Sequence, residues 1–107
     1  MEARQHKRVI VNFPAELVCR DKRVAGTVEN LSENGVYVVT APQKNSSDLC
    51  PDTMLELRFQ NSTGEAHVLH CIVKWSYMTP PHGFTNSVGM EIIDPPLTYK
   101  ELLASLK

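Results

Sequence analysis

Arg23-Val24-Ala25-Gly26-Thr27-Val28-Glu29-Asn30-Leu31-Ser32-Glu33-Asn34-Gly35-Val36-Tyr37-Val38-Val39-Thr40 reads as two strands joined by a polar turn. In the first half Val24, Gly26 and Val28 fall on one face and Arg23, Ala25, Thr27 and Glu29 on the other, the period-two pattern of a strand with one face in a core. Asn34-Gly35 is a hairpin signal, because both residues tolerate positive φ. Val36 to Thr40 is a second run of β-formers. One hairpin of this kind needs further strands to bury its apolar face, and the rest of the chain supplies them.

Upstream, Val9 to Cys19 reads as a strand interrupted at Pro14, where an edge position or a bulge is expected. Downstream, Pro42 to Asp52 is a loop. Met54 to Phe59 alternates again, and Asn61-Ser62-Thr63-Gly64 is a turn. Glu65 to Trp75 is a long strand, with Val68, His70, Ile72 and Lys74 opposite Leu69, Cys71, Val73 and Trp75. That alternation favours Trp75 in the core, the alternative being that Trp75 and Tyr77 stack a base. Tyr77 to Ser87, with Pro80-Pro81 and Gly83, is a loop, and Val88 to Ile93 is a last strand stopped by Asp94-Pro95-Pro96. The tail changes character: Tyr99 to Leu106 has good helix formers, with Leu102, Leu103 and Leu106 at helical spacing, a face for packing on the barrel or, alternatively, for an interface. Six short strands and one helix predict an all-β fold, a small six-stranded antiparallel β-barrel with a short C-terminal α-helix.

At 107 residues the chain is expected to form a single domain: a flexible basic arm over 1–8, the barrel over 9–94 and the helix over 97–107. Hydrophobic residues make up 42% and charged residues 21%, a balance that suits a globular core and argues against disorder. The net charge of −1 hides an asymmetry: residues 1–23 carry six Lys/Arg against three Asp/Glu, and the remainder five against nine. A basic segment on an acidic body points to a local anion site and away from DNA or RNA as partners. No apolar stretch approaches the ~18 residues of a membrane span, so membrane insertion is not expected. Val9-Ile10-Val11 is too short for the apolar core of a signal peptide, and a cytoplasmic location is expected. Cys19, Cys50 and Cys71 are an odd, widely spaced set and read as reduced thiols.

Two short motifs carry the chemistry. Arg4-Gln5-His6-Lys7-Arg8 places two arginines four positions apart, on the same side of an extended arm. A guanidinium presents a planar fork to guanine O6 and N7 or to two phosphate oxygens, and it stacks on a purine face. Asn30, Ser32 and Gly35 offer the complement: an amide with donor and acceptor, a hydroxyl two positions along, and a backbone that a ligand can approach closely. The alternative for each motif alone is structural: a solvated basic tail for Arg4 and Arg8, and an Asx- or Ser-type turn that shapes the hairpin for Asn30 and Ser32.

The pair, in this order on a β-rich chain, resembles the PilZ domain family, whose members include bacterial receptors for cyclic di-GMP. The R-x-x-x-R element runs into the first strand, and the [D/N]-x-S-x-x-G element sits between the second and third. Val88-Gly89-Met90-Glu91-Ile92-Ile93-Asp94 looks like the family's closing strand. The resemblance covers residues 4–94. It implies a ligand held on the outer surface of the barrel, with Arg4 and Arg8 on guanine and phosphate and Asn30, Ser32 and Gly35 on its other side. Cyclic di-GMP often binds such domains as an intercalated pair. The resemblance also implies a non-enzymatic receptor that signals to a protein effector controlling motility, exopolysaccharide or biofilm formation, the alternative being an adaptor of the same fold that binds no nucleotide. The expected state is a monomer or weak dimer, and no cofactor is expected beyond the ligand.

Other residues carry less. His67, His70 and Cys71 suggest metal ligands, yet on a strand the two histidines point to opposite faces and no second cluster completes a site. Cys19 and Cys71 have no paired His to activate a thiolate and read as small buried hydrophobes. No carboxylate pair, activated nucleophile or phosphate-gripping loop points to an enzyme.

Overall fold

The computed structural model describes residues 8–41, 50–78 and 85–106. The arm, with Arg4, and the centre of the 42–52 loop lie outside them, as do Pro80, Pro81 and Gly83. Six strands, β1 (Val9–Cys19), β2 (Lys22–Leu31), β3 (Gly35–Thr40), β4 (Met54–Gln60), β5 (Ala66–Met78) and β6 (Asn86–Ile93), precede one helix, α1 (Leu97–Leu106). The strands close into a barrel in the order β1-β2-β3-β6-β5-β4, and every pairing is antiparallel. Closure gives each of the six strands a neighbour on both sides.

Period-two burial fills the barrel. Leu17, Val28, Val38, Leu57, Leu69, Val73 and Val88 are almost fully buried, and α1 adds Tyr99, Leu102 and Leu103 to the same cluster. The helix has no acidic residue in its first turn and no basic residue in its last. Ten residues without such support are marginal alone, so packing holds α1 in place.

Two strands run further than their composition suggests. β5 continues through Met78 and β6 begins at Asn86, because Tyr77 pairs with Ser87 and Met78 with Asn86. Cross-strand pairing extends the ladder into residues that sequence reads as loop. The irregularity expected at Pro14 falls earlier, between Ile10 and Phe13. Pro14 keeps its place opposite Thr27, and the β1–β4 register starts only at Ala15, so that ladder asks no N–H of the proline.

The β2–β3 connection also differs from the expected Asn-Gly hairpin turn. Neither Asn34 nor Gly35 has positive φ; among the described residues such values occur at Arg20, Asp52, Asp94 and Gly64. Ser32 closes the turn instead. Its N–H donates to the Gly35 carbonyl at 2.9 Å, and its Oγ accepts from the Gly35 N–H at 3.1 Å. A serine side chain thereby does the work assigned to left-handed backbone.

Candidate functional site

The site is built where alternation breaks. In β2, Val28 and Leu31 are both fully buried although three positions separate them. The register shift between Val28 and Asn30 accounts for this, with Glu29 and Asn30 both turned outward. The bulge places Asn30 between Ile10 of β1 and Tyr37 of β3. Val9 pairs with Leu31, so one further step of the register directs Arg8 toward Ser32.

Arg8, Asn30, Ser32 and Gly35 border one depression on the outer wall, about 120 Å³ in volume, with Tyr37, Lys74, Trp75 and Gly89 completing its rim. Four of the five residues singled out from sequence are thus together, and Arg4 lies outside the described residues. The role of Gly35 is space. A Cβ there would stand 3.2 Å from Ser32 Oγ and 3.6 Å from the Met90 carbonyl oxygen, crowding the hydroxyl that closes the turn.

Sequence reasoning ranked a core place for Trp75 above base stacking and did not single out Tyr37, Lys74 or Gly89. Trp75 does not enter the core; it is 39% exposed. A second bulge, between Val73 and Trp75, turns Lys74 and Trp75 outward together. Trp75 pairs with Gly89, and its indole lies flat over that glycine: a Cβ at Gly89 would meet Cε2 at 2.2 Å and Nε1 at 2.4 Å. The missing side chain lets the indole cross β6 toward β3. Ring centroids of Tyr37 and Trp75 are 5.7 Å apart at 39°, and those of Trp75 and Tyr77 are 5.3 Å apart at 18°. The Tyr37 hydroxyl donates to Ser87 Oγ at 3.1 Å. The result is an aromatic shelf facing solvent beside a polar depression. The signal that finds it is Gly89 opposite an aromatic on a neighbouring strand, which is visible only once register is known.

Charge is arranged with the same economy. Arg8 is exposed on one side of the depression. Lys74 Nζ on the other lies 3.1 Å from Glu91 Oε1, both side chains about half exposed. Behind the turn, the Tyr99 hydroxyl of α1 donates a short hydrogen bond to the Ser32 carbonyl. Burial, and then the neighbouring Cys71 sulfur, push the Tyr99 phenol well above its ordinary value, so it stays protonated and able to donate.

The other tempting residues sit elsewhere. Cys71 is fully buried, and burial pushes its thiol up to about 12, which leaves no thiolate for nucleophilic chemistry. Cys19 is half-buried and Cys50 exposed. His67 faces inward, its ring 5.1 Å from that of Phe59, whereas His70 faces out. Among the described residues no three His, Cys, Asp or Glu side chains group as metal ligands, and no helix is long and apolar enough to cross a membrane.

Fold and site together define a class: a small closed antiparallel barrel that carries a polar, aromatic-edged depression on its outer wall and fills its lumen with side chains. The chain belongs to the PilZ family, whose domain model matches residues 2–106. Solved structures share the fold. The inhibitor of motility MotI/DgrA from Bacillus subtilis superposes with a TM-score of 0.74 at 14% identity, over 98% of this chain and 49% of that one. MrkH of K. pneumonia, in complex with c-di-GMP, gives 0.78 at 12% identity, over 99% and 53%. The PilZ domain of YcgR from Escherichia coli, with c-di-GMP, gives 0.77 at 9% identity, over 98% and 92%. The chain spans about half the length of the first two. Identities this low show the fold alone. No curated protein matches the sequence.

Proposed function

We propose that this chain is a non-enzymatic cytoplasmic receptor for cyclic di-GMP. The observation that carries the reading is the convergence of Arg8, Asn30, Ser32 and Gly35 on one outer depression. Arg8 supplies a fork for guanine O6 and N7 or for a phosphate. Arg4, four residues earlier, supplies a second guanidinium that stacks on or grips the same ligand. Asn30 and Ser32 meet the ligand from the barrel side, and Gly35 keeps the turn low enough for it to approach. The shelf of Tyr37, Trp75 and Tyr77 gives flat faces beside the guanines. Two of the proteins sharing the fold carry c-di-GMP in their structures, and family membership supports the same ligand here.

In this reading residues 1–7 fold onto the barrel when the ligand's phosphates bridge Arg4 and Arg8 to the turn. An arm of that composition has little apolar surface to offset ~1–2 kcal/mol of backbone ordering per residue, so the ligand supplies what holds it. The changed face is then read by a protein effector governing motility, exopolysaccharide or biofilm output. Calorimetric titration with cyclic di-GMP tests the proposal, with cyclic di-AMP and GTP as controls. Saturable heat with cyclic di-GMP alone is expected; no heat with any of the three leaves a protein-binding adaptor of the same fold.

A further inference from the structure

The Ser32 peptide is held from three directions. Its N–H donates to the Gly35 carbonyl, its Oγ accepts from the Gly35 N–H, and its carbonyl accepts from the buried Tyr99 hydroxyl. The first two bonds lie within the turn. The third crosses 67 positions of sequence and ties the turn to α1. Asn34 adds a second tie from the same turn to the closing strand, its carbonyl accepting from the Ile92 N–H at 2.7 Å.

We propose that Tyr99 is a positioning residue that couples occupancy of the ligand turn to docking of α1, making the helix the element that reports the bound state. The proposal rests on the receptor reading for the identity of the ligand, but the coupling between turn and helix is a property of the chain itself. Tyr99 is completely buried, so its ring cannot leave the core while α1 stays docked. A turn pulled out of shape loses the hydroxyl's acceptor and strands a buried donor, which is costly in a low-dielectric interior. An undocked helix, in turn, frees the Ser32 carbonyl to rotate. Each state therefore favours its counterpart, and linkage requires the effect to run both ways.

The helix is suited to that task. It has no charge support at either end and depends on three buried side chains, Tyr99, Leu102 and Leu103, for its place. It also does not lie flush against the turn. A cleft of about 480 Å³ is lined by Glu33 and Asn34 of the turn and by Tyr99, Lys100, Leu103 and Ala104 of the helix, and the Tyr99 hydroxyl bridges the two elements at its edge. A ligand that grips Asn30, Ser32 and Gly35 stabilises the turn geometry the hydroxyl needs. Ligand binding then tightens α1, and the exposed helix face near Lys100 becomes more ordered.

Amide hydrogen exchange on the parent chain and on Tyr99→Phe tests this in two arms. Without ligand, the variant keeps the ring packing and loses only the hydroxyl. The amides of Ser32 and Gly35 should then exchange about three- to tenfold faster, the size expected of one lost hydrogen bond, while core amides such as Val38 and Leu69 are unchanged. Faster exchange everywhere would mean a merely structural role, and unchanged exchange at Ser32 and Gly35 would refute the coupling; this arm decides it whatever the ligand proves to be. With saturating cyclic di-GMP, the amides of residues 100–106 should slow in the parent and slow less in Tyr99→Phe, whose affinity falls by the same three- to tenfold. A parent that binds the nucleotide with no change in helix exchange overturns the reporting role. A parent with the ligand-free coupling but no binding overturns the receptor reading alone.

Discussion

Gly89→Ala tests the outer-wall architecture most directly, because the structure dictates what the added methyl strikes. The new Cβ would stand 2.2 Å from Trp75 Cε2 and 2.4 Å from Cζ2 and Nε1, far inside contact distance. All three atoms belong to a side chain that is already 39% exposed, so the indole can swing toward solvent and the strands need not part. The cost is then the loss of the seat. Two ring contacts, to Tyr37 and Tyr77, are worth ~0.5–1.5 kcal/mol each when intact, and together they set a loss of about 1–3 kcal/mol. For a chain of this size that lowers Tm by roughly 5–15 °C. Trp75 is the only tryptophan, so its emission reports the seat without interference and should move to the red as the ring meets water. A double-mutant cycle makes the attribution strict. In a Trp75→Ala background the methyl has nothing to strike, and Gly89→Ala should cost a few tenths of a kcal/mol at most. An equal Tm loss in both backgrounds, or an unshifted emission in the single variant, would refute the account of how Trp75 is held outside the core.

Arg8→Ala should weaken cyclic di-GMP binding by ~1–3 kcal/mol, the scale of a bidentate base contact, and Arg8→Lys should recover little because an ammonium lacks the fork; titration calorimetry on both reads the result, and parent-like affinity in Arg8→Ala would move the site elsewhere. Asn30→Ala and Ser32→Ala should both weaken binding, and only Ser32→Ala should also lower stability in a melting scan, by ~0.5–1.5 kcal/mol for the bond it gives Gly35. Glu91→Gln should tighten binding several-fold at low salt, since Lys74 then loses the carboxylate 3.1 Å away and turns to the ligand's phosphates; the gain should shrink as salt is raised. The buried Cys71 thiol, pushed up to about 12, should resist maleimide at pH 8 in the native state while the exposed Cys50 is labelled, as peptide mass spectrometry would show; equal labelling would contradict the burial.

Most of the fold was legible because a barrel wall repeats every two residues. Val24, Gly26 and Val28, and Leu69, Cys71 and Val73, announce their strands by alternation alone, and the leucines of α1 announce a helix by theirs. The motif residues were legible for another reason: Arg8, Asn30, Ser32 and Gly35 are short-range patterns whose chemistry reads without knowing the fold. Trp75 was not legible. Its sequence parity matches Val73, and only the bulge between them reverses it. Gly35 was misread in mechanism though not in place, because the turn is closed by a serine hydroxyl whose partner is set by three-dimensional geometry. The ends of β5 and β6 were hidden because Tyr77 and Ser87 stay in strand only through each other.

These departures are one phenomenon. Strict alternation fills the lumen with Val24, Val28, Leu69 and Val73 and would leave the outer wall with every second side chain at even spacing. A bulge puts two consecutive side chains outside, Glu29 with Asn30 on β2 and Lys74 with Trp75 on β5. The two bulged segments face each other across β3 and β6, along the row Asn30–Tyr37–Gly89–Trp75. Side-chain density on the outer wall is thereby raised in one band while the core keeps its packing, and Gly89, which adds no side chain of its own, is where the band folds over on itself. A closed barrel has no free edge to open and little room to flex, so a ligand seated on that band has few ways to change the molecule. Outside the ladder, among the described residues, stands the helix tied back by Tyr99. In the proposed receptor the recognition surface stays with the rigid ladder, and the response falls to the helix that meets the site at the Ser32 carbonyl.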